Sequence, residues 1–126
     1  MTSGKKRILV VEDEPDVCRI LAYRLEKAGF EVFTAHDGES GLKKVYEEKP
    51  DLLILDLMLP GIRGEEICRI VREDRDESIN RVPILILTAK DSLGEKISEN
   101  VCFLGGKIHL SQRIDEFAGR AIRRMR

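Results

Sequence analysis

Short runs of consecutive aliphatic residues recur along the chain and predict buried strands. Three runs of four such residues lie at 8–11, 52–55 and 84–87. Runs of this length without a polar interruption are typical of strands buried on both faces, as in a parallel sheet covered by helices. A further strand is predicted over 30–35, which contains two phenylalanines, a valine and a threonine. The best candidate for a fifth strand is 101–104, followed by the pair Gly105-Gly106.

Between these runs, apolar residues at spacings of three and four predict amphipathic helices. The first helix is predicted over 16–28, with Pro15 in its first turn, Asp13 or Glu14 near its cap and Gly29 at its end. Its inward stripe is predicted to contain Val17, Ile20, Leu21 and Leu25. Further helices are predicted from 39 to about 49, over 64–75 and over 114–125.

The segment after Thr88 has a weaker pattern. Leu93, Ile97 and Val101 fall at i, i+4 and i+8, which allows a short helix. Gly94 weakens that helix by about 1 kcal/mol relative to alanine.

Strands that alternate with helices in this way indicate βαβ units, right-handed crossovers and a parallel sheet. The predicted fold class is α/β, a flavodoxin-like doubly wound sheet of five parallel strands in the order 2-1-3-4-5 with helices on both faces. The 126 residues fit one domain, expected over 1–126 with its core from residue 5 onward.

Composition narrows the function classes. The net charge is -1 although 36% of the residues are charged, which argues against nucleic acid or a membrane as the main partner. Arginines cluster at the C-terminal end of the last predicted helix, where the helix dipole favours cations. Cys18, Cys68 and Cys102 lack metal-ligand spacing and indicate packing residues in a reducing cytoplasm. The first apolar run is too short for a signal peptide or a membrane span, so we expect a cytoplasmic protein.

Polar groups follow three of the predicted strands. Glu12 and Asp13 follow the first strand, Asp56 follows the third and Thr88 ends the fourth. In the order 2-1-3-4-5 the first and third strands are neighbours, so the three carboxylates are expected to share one crevice. Carboxylates about 4 to 6 Å apart repel one another unless a cation is present. Hard oxygen ligands without histidine or cysteine favour Mg²⁺, or Mn²⁺, over zinc and copper.

This arrangement suits an aspartate that accepts a phosphoryl group. Asp56 would be the nucleophile that forms an acyl phosphate, and the metal would neutralise charge on the transferred group. The Thr88 hydroxyl and the Lys107 ammonium would complete the site. His36 and His109 have no sequence partner that suggests a catalytic pair, so surface or packing roles are expected for them.

Four motifs carry a resemblance to a known family. They are ILVVEDEP at 8–15, AHDGE at 35–39, PDLLILDLMLPG at 50–61 and PILILTAK at 83–90. Through them the chain resembles the receiver domain of two-component response regulators. The resemblance implies that Asp56 is the phosphoacceptor, that Glu12 and Asp13 serve a Mg²⁺ ion, and that the Met58 main-chain carbonyl is a further ligand. It also implies that Thr88 is the switch hydroxyl and that Lys107 is the lysine that pairs with the phosphoryl group.

The resemblance further implies a signalling domain rather than an enzyme, although one that assists its own aspartyl phosphorylation and dephosphorylation. Its partners would be a histidine kinase or phosphotransfer protein and a downstream protein. It would not bind nucleic acid directly or associate with a membrane, and it would be a monomer or a weak homodimer.

Departures from the family pattern leave a second hypothesis open. Ile108 follows Lys107 where the family usually has proline, and the interval from Thr88 to Lys107 is about three residues short, nearly one helical turn. Phe103 or Leu104 must stand where the switch aromatic would be. The alternative is therefore a pseudo-receiver, a protein-interaction module that does not switch on phosphorylation.

Two other classes fit the same sheet less well. A flavodoxin-like cofactor binder needs an amide-lined phosphate cradle after the first strand, and Glu12-Asp13-Glu14 would repel a phosphate there. An aspartyl-phosphate hydrolase needs a dedicated acid or base and a cap over the site, for which the chain offers little length.

Overall fold

The computed structural model describes residues 4–88, 96–98, 101–105 and 114–124. The strands are β1 Arg7–Val11, β2 Glu31–Ala35, β3 Leu52–Asp56, β4 Ile84–Thr88, β5 Lys96–Ser98 and β6 Val101–Gly105. The helices are α1 Pro15–Lys27, α2 Gly38–Glu48, α3 Gly64–Arg72, α4 Glu77–Asn80 and α5 Ile114–Arg124.

Four parallel strands in the order β2-β1-β3-β4 form the centre of the sheet. Strand β1 lies between β2 and β3, with Val11 opposite both Ala35 and Leu55. Strand β4 pairs with β3, and Leu87 lies opposite Asp56. The predicted α/β class and the predicted order 2-1-3-4 are confirmed. The register also places the residue after Val11 level with Asp56, at the carboxyl edge of the sheet.

Beyond β4 the sheet departs from the prediction. Strand β6 pairs in parallel with β4, and β5 pairs antiparallel with β6, with Ile97 opposite Cys102. The all-parallel sheet is therefore wrong at this edge, and the short helix that the spacing of Leu93, Ile97 and Val101 allowed is replaced by a strand at Lys96–Ser98. Three apolar residues at i, i+4 and i+8 do not distinguish a helix from an extended segment, and Gly94 lowers helix propensity nearby. The main-chain ladder to β6 therefore determines the conformation of β5.

Two apolar clusters cover the two faces of the sheet. In β1, Ile8 and Val10 face the cluster beneath α1 and α5, whereas Leu9 and Val11 face the cluster beneath α2 and α3. All four are 0% exposed. The uninterrupted aliphatic runs thus arise because both faces of each central strand are covered.

The first helix is rotated relative to its predicted stripe. Cys18, Leu21 and Leu25 are buried, whereas Ile20 is 48% exposed, so the inward placement predicted for Ile20 is wrong. Four apolar positions define a broad stripe, and Cys18 rather than Ile20 completes its buried part. Cys18 is a buried packing residue as predicted, Cys68 is half-buried, and the side chain of Cys102 lies outside the described residues.

The short helix α4 was not predicted. Asp76 caps it by accepting a hydrogen bond from the Ser78 N–H at 2.9 Å. Helix α3 accordingly ends at Arg72 rather than near residue 75. None of the helices within the described ranges has the length and apolar character needed to cross a membrane.

Candidate functional site

Three acidic side chains meet at the carboxyl ends of β1 and β3. One carboxylate oxygen from each of Glu12, Asp13 and Asp56 lies within 4.8 Å of the other two. Glu12 and Asp56 are 0% exposed, and Asp13 is exposed. The sequence suggested this meeting because parallel strands end at the same edge, and the pairing of β1 with β3 produces it.

Main-chain groups and one ring hold Glu12. Its N–H donates to the Ala35 carbonyl at 3.0 Å, and its Oε2 accepts the Glu14 N–H at 3.0 Å. The Glu12 carbonyl oxygen lies 3.0 Å from His36 Nδ1. Because a carbonyl oxygen only accepts, His36 Nδ1 must carry the proton. This contact was missed, since nothing in the sequence connects His36 to Glu12.

Glu14 begins α1 as its N-cap residue, but its side chain makes no capping hydrogen bond. The prediction that Asp13 or Glu14 lies near the cap is confirmed by Glu14, and the Asp13 carboxylate lies in the acidic group. Helix α1 therefore begins within two residues of Asp13, so the positive end of its dipole lies beside the acidic group.

The loop after Asp56 folds back onto the end of β3. Asp56 Oδ1 accepts the Met58 N–H at 3.1 Å, and the Gly64 N–H donates to the Leu57 carbonyl at 3.3 Å. A Cβ on Gly64 would lie 2.8 Å from the Asp56 carbonyl oxygen and from Leu57 Cα. Only glycine allows this close approach. The Met58 side chain is 65% exposed at the rim of the site.

The same loop contacts the start of α2. The Gly38 N–H donates to the Pro60 carbonyl at 3.2 Å, and a Cβ on Gly38 would lie 2.1 Å from the Ile62 carbonyl oxygen. Asp37 caps α2 by accepting the Ser40 N–H at 2.7 Å, and this bond together with the Ser40 hydroxyl lowers the pKa of Asp37. The sequence indicated only a turn at 37–38.

The remaining predicted site residues are less fully described. Thr88 is the last residue of β4, one position beyond the residue opposite Asp56, and its side chain lies outside the described part of the chain. The whole of Lys107 lies outside it as well, as do the side chains of Phe103 and Leu104.

The donor set of the acidic group fits a hard divalent cation. It offers three carboxylate oxygens and includes neither histidine nor cysteine, which favours Mg²⁺ over softer metals. The negative charge of Glu12 also affects a thiol in α1. Burial first, and then the Glu12 charge, raise the pKa of the Cys18 thiol to about 11.

Comparison of the sequence with known proteins identifies the family of the chain. The family model described as the response regulator receiver domain matches residues 8–114. Over 92 residues the chain is 48% identical to the alkaline phosphatase synthesis transcriptional regulatory protein PhoP of Bacillus subtilis (strain 168). That match covers 73% of this chain but only 37% of the relative, so the chain spans well under half of the length of PhoP.

Solved structures resemble the fold closely. A sensor protein from Polaromonas sp. JS666 superposes with a TM-score of 0.82 at 28% identity, covering 98% of this chain and 100% of the other. The response regulator TrrA from Thermotoga maritima, in complex with Mg²⁺ and BeF, gives 0.76 at 31% identity over 92% and 98% of the two chains. The family match covers far more than half of the chain. The chain therefore belongs to the receiver domain family of two-component response regulators.

Proposed function

We propose that this receiver domain accepts a phosphoryl group on Asp56, in a Mg²⁺-dependent reaction, from a histidine kinase or phosphotransfer protein. The observation that carries the proposal is the group formed by Glu12, Asp13 and Asp56, with carboxylate oxygens within 4.8 Å of one another at the carboxyl ends of two adjacent strands. Such a group is costly without a cation, and it surrounds a buried nucleophile with hard metal ligands.

In the proposed reaction a carboxylate oxygen of Asp56 attacks the phosphorus of a phosphohistidine. The bond from oxygen to phosphorus forms as the phosphorus–nitrogen bond breaks, and the electron pair leaves with the donor imidazole. The Met58 N–H, 3.1 Å from Asp56 Oδ1, holds the carboxylate in one orientation during the attack. Thr88 would donate its hydroxyl to a phosphoryl oxygen, and Lys107 would pair with the same group.

The proposed metal ligands are the carboxylates of Glu12, Asp13 and Asp56 and the main-chain carbonyl of Met58. When bound, Mg²⁺, or Mn²⁺ in its place, would neutralise negative charge on the phosphoryl oxygens. The protein itself holds Glu12 in position through the Glu14 N–H and keeps water away from two of the three carboxylates by burying them.

The fold and the setting are part of the proposal. We infer that β6 serves as the fifth parallel strand of the order 2-1-3-4-5, and that residues 1–126 form one receiver domain that is a monomer or a weak homodimer. The domain would act in the cytoplasm on a downstream protein, without contacting nucleic acid or a membrane itself. It would assist its own phosphorylation and dephosphorylation without being an enzyme for another substrate.

A second candidate, the pseudo-receiver, is favoured by one observation. The antiparallel strand β5 lies where the sequence allows a helix between the fourth and fifth strands. A domain with that edge rebuilt would keep the acidic group but lose the coupling from Asp56 to the rest of the sheet.

Two measurements test the proposal. Radiolabelled acetyl phosphate with Mg²⁺ should label the protein, and Asp56→Asn or excess EDTA should abolish the label. Label that survives Asp56→Asn would assign the nucleophile to another residue.

Backbone NMR with Mg²⁺ and beryllofluoride separates the receiver from the pseudo-receiver. Chemical-shift changes that reach 101–122 support a switching receiver, and changes confined to the surroundings of Asp56 support the pseudo-receiver.

A further inference from the structure

The turn between β2 and α2, residues 35–38, contacts both segments that carry the proposed Mg²⁺ ligands. At one end, Ala35 and His36 contact the main chain of Glu12, each at 3.0 Å. At the other end, Gly38 donates to the Pro60 carbonyl at 3.2 Å, in the loop that carries Met58. Resting on the function proposed above, we propose that this turn is a brace that sets the separation of Glu12 and the Met58 carbonyl, and with it the affinity for Mg²⁺.

The Gly38 end of the brace is a contact between main chains. A Cβ at Gly38 would lie 2.1 Å from the Ile62 carbonyl oxygen and 2.8 Å from the Ile62 carbonyl carbon. These are backbone atoms, so the loop itself would have to move to admit a side chain. The loop is short and is closed by the hydrogen bond from Gly64 to the Leu57 carbonyl. Displacing Ile62 and Pro60 would therefore displace the Met58 carbonyl.

The His36 end fixes the other ligand segment. The ring Nδ1–H donates to the Glu12 carbonyl, and the Ala35 carbonyl accepts the Glu12 N–H, so the main chain of Glu12 is held on both sides of its Cα. The Glu12 carboxylate is itself oriented by the Glu14 N–H. Loss of a group that orients a metal ligand from behind typically weakens metal binding about 10- to 100-fold.

Calorimetric titration of the full chain with MgCl₂ tests the Gly38 end. Gly38→Ala should weaken Mg²⁺ binding by about tenfold or more. The matched control is Val45→Ala, which removes apolar volume from the core beneath the same helix, where Val45 is 1% exposed. The control should lose stability in a urea melt and bind Mg²⁺ as tightly as the wild type. A loss of affinity in both variants would attribute the effect to general destabilisation and overturn the brace.

Two substitutions at His36 test the other end, and they decide the question if Gly38→Ala does not fold. His36→Leu removes the donor and should weaken Mg²⁺ binding by about tenfold. His36→Asn retains an amide N–H near the position of Nδ1 and should restore most of the wild-type affinity. If the ring of His36 only filled space, His36→Asn would bind Mg²⁺ as weakly as His36→Leu.

The outcomes separate this inference from the proposed function. If the wild type binds no Mg²⁺ and Asp13→Asn changes nothing, the proposed metal site fails and the brace fails with it. If the wild type binds Mg²⁺ and Asp13→Asn abolishes binding, the function stands. Wild-type affinity in both Gly38→Ala and His36→Leu would then overturn the brace alone.

Discussion

Replacing Asp56 with asparagine should stabilise the protein when no divalent cation is present. Asp56 and Glu12 are both 0% exposed, and one oxygen of each lies within 4.8 Å of the other and of an Asp13 oxygen. The substitution removes the charge repulsion in two of the three pairs. It keeps an oxygen that can accept the Met58 N–H, so the hydrogen bond at 3.1 Å is retained.

The size of the effect follows from the separation of the charges. At 4.8 Å two like unit charges repel by about 3.5 kcal/mol at an effective dielectric of 20, and by about 0.9 kcal/mol at the dielectric of water. The buried pair with Glu12 lies nearer the first value, and the pair with exposed Asp13 nearer the second. Main-chain donors and the α1 dipole offset part of the sum. A net stabilisation of about 1 to 3 kcal/mol is expected, which corresponds to roughly 4 to 10 °C in melting temperature.

Urea denaturation followed by circular dichroism, in EDTA and then in millimolar MgCl₂, measures both parts of this prediction. The wild type should gain stability from Mg²⁺ because the ion binds only the folded state, and Asp56→Asn should lose most of that gain. Asp16→Asn is the matched control, since Asp16 is an exposed acid in the first turn of α1 whose contact is an ion pair with Arg19. The control should change stability by less than about 0.5 kcal/mol. Asp56→Asn that is no more stable than the wild type in EDTA would refute the electrostatic reasoning.

Three further predictions concern other parts of the chain. Hydrogen bonds from the Ser78 hydroxyl and N–H lower the pKa of Asp76 to about 2, so the contribution of Asp76 to stability is present above about pH 4 and is lost as the pH falls toward 2. The urea midpoint should therefore fall less steeply with pH in Asp76→Asn than in the wild type over that range. Equal slopes in the two proteins would contradict this prediction. Gly64→Ala places a Cβ 2.8 Å from main-chain atoms and should cost about 1 to 3 kcal/mol in a urea melt. Gly119→Ala meets only the flexible end of a side chain and should cost far less. Burial raises the pKa of Cys18 to about 11, so this thiol should not react with a disulfide reagent while the protein is folded. Compared with the wild type, Cys18→Ser should therefore show one reactive thiol fewer in urea and the same number in the folded protein. A lower number in the folded variant would show that the Cys18 thiol is accessible.

The part of the site that could be predicted is the part determined by strand ends. Uninterrupted aliphatic runs require cover on both faces, and that condition leads to a parallel sheet whose strands end at one edge. Glu12, Asp13 and Asp56 are adjacent in sequence to those ends, so their meeting needed only the pairing of β1 with β3.

The contacts of His36 and Gly38 could not be predicted in the same way. They join residues 24 positions apart in one case and a helix start to a distant loop in the other. Both depend on the conformation of the turn after β2, for which the sequence indicates only that a turn occurs. Ile20 illustrates a different limit, since spacing identifies a helix but does not decide which edge of a broad apolar stripe is buried.

The two candidate functions differ in which half of the sheet they require. The acidic group, the Met58 N–H and the proposed brace all lie between β1 and the start of α3, in the part of the sheet ordered β2-β1-β3. The proposed nucleophile and the proposed metal ligands depend on this half, because the contacts that hold them lie within it. Under the proposed function, the contacts of Thr88 and Lys107 with the phosphoryl group and the response to it depend on the other half, where β5 adds an antiparallel edge to β6. Under the proposed function, such a chain can keep its metal ligands in place while its response changes, because the contacts that hold Glu12 and orient the Asp56 carboxylate do not pass through the altered edge.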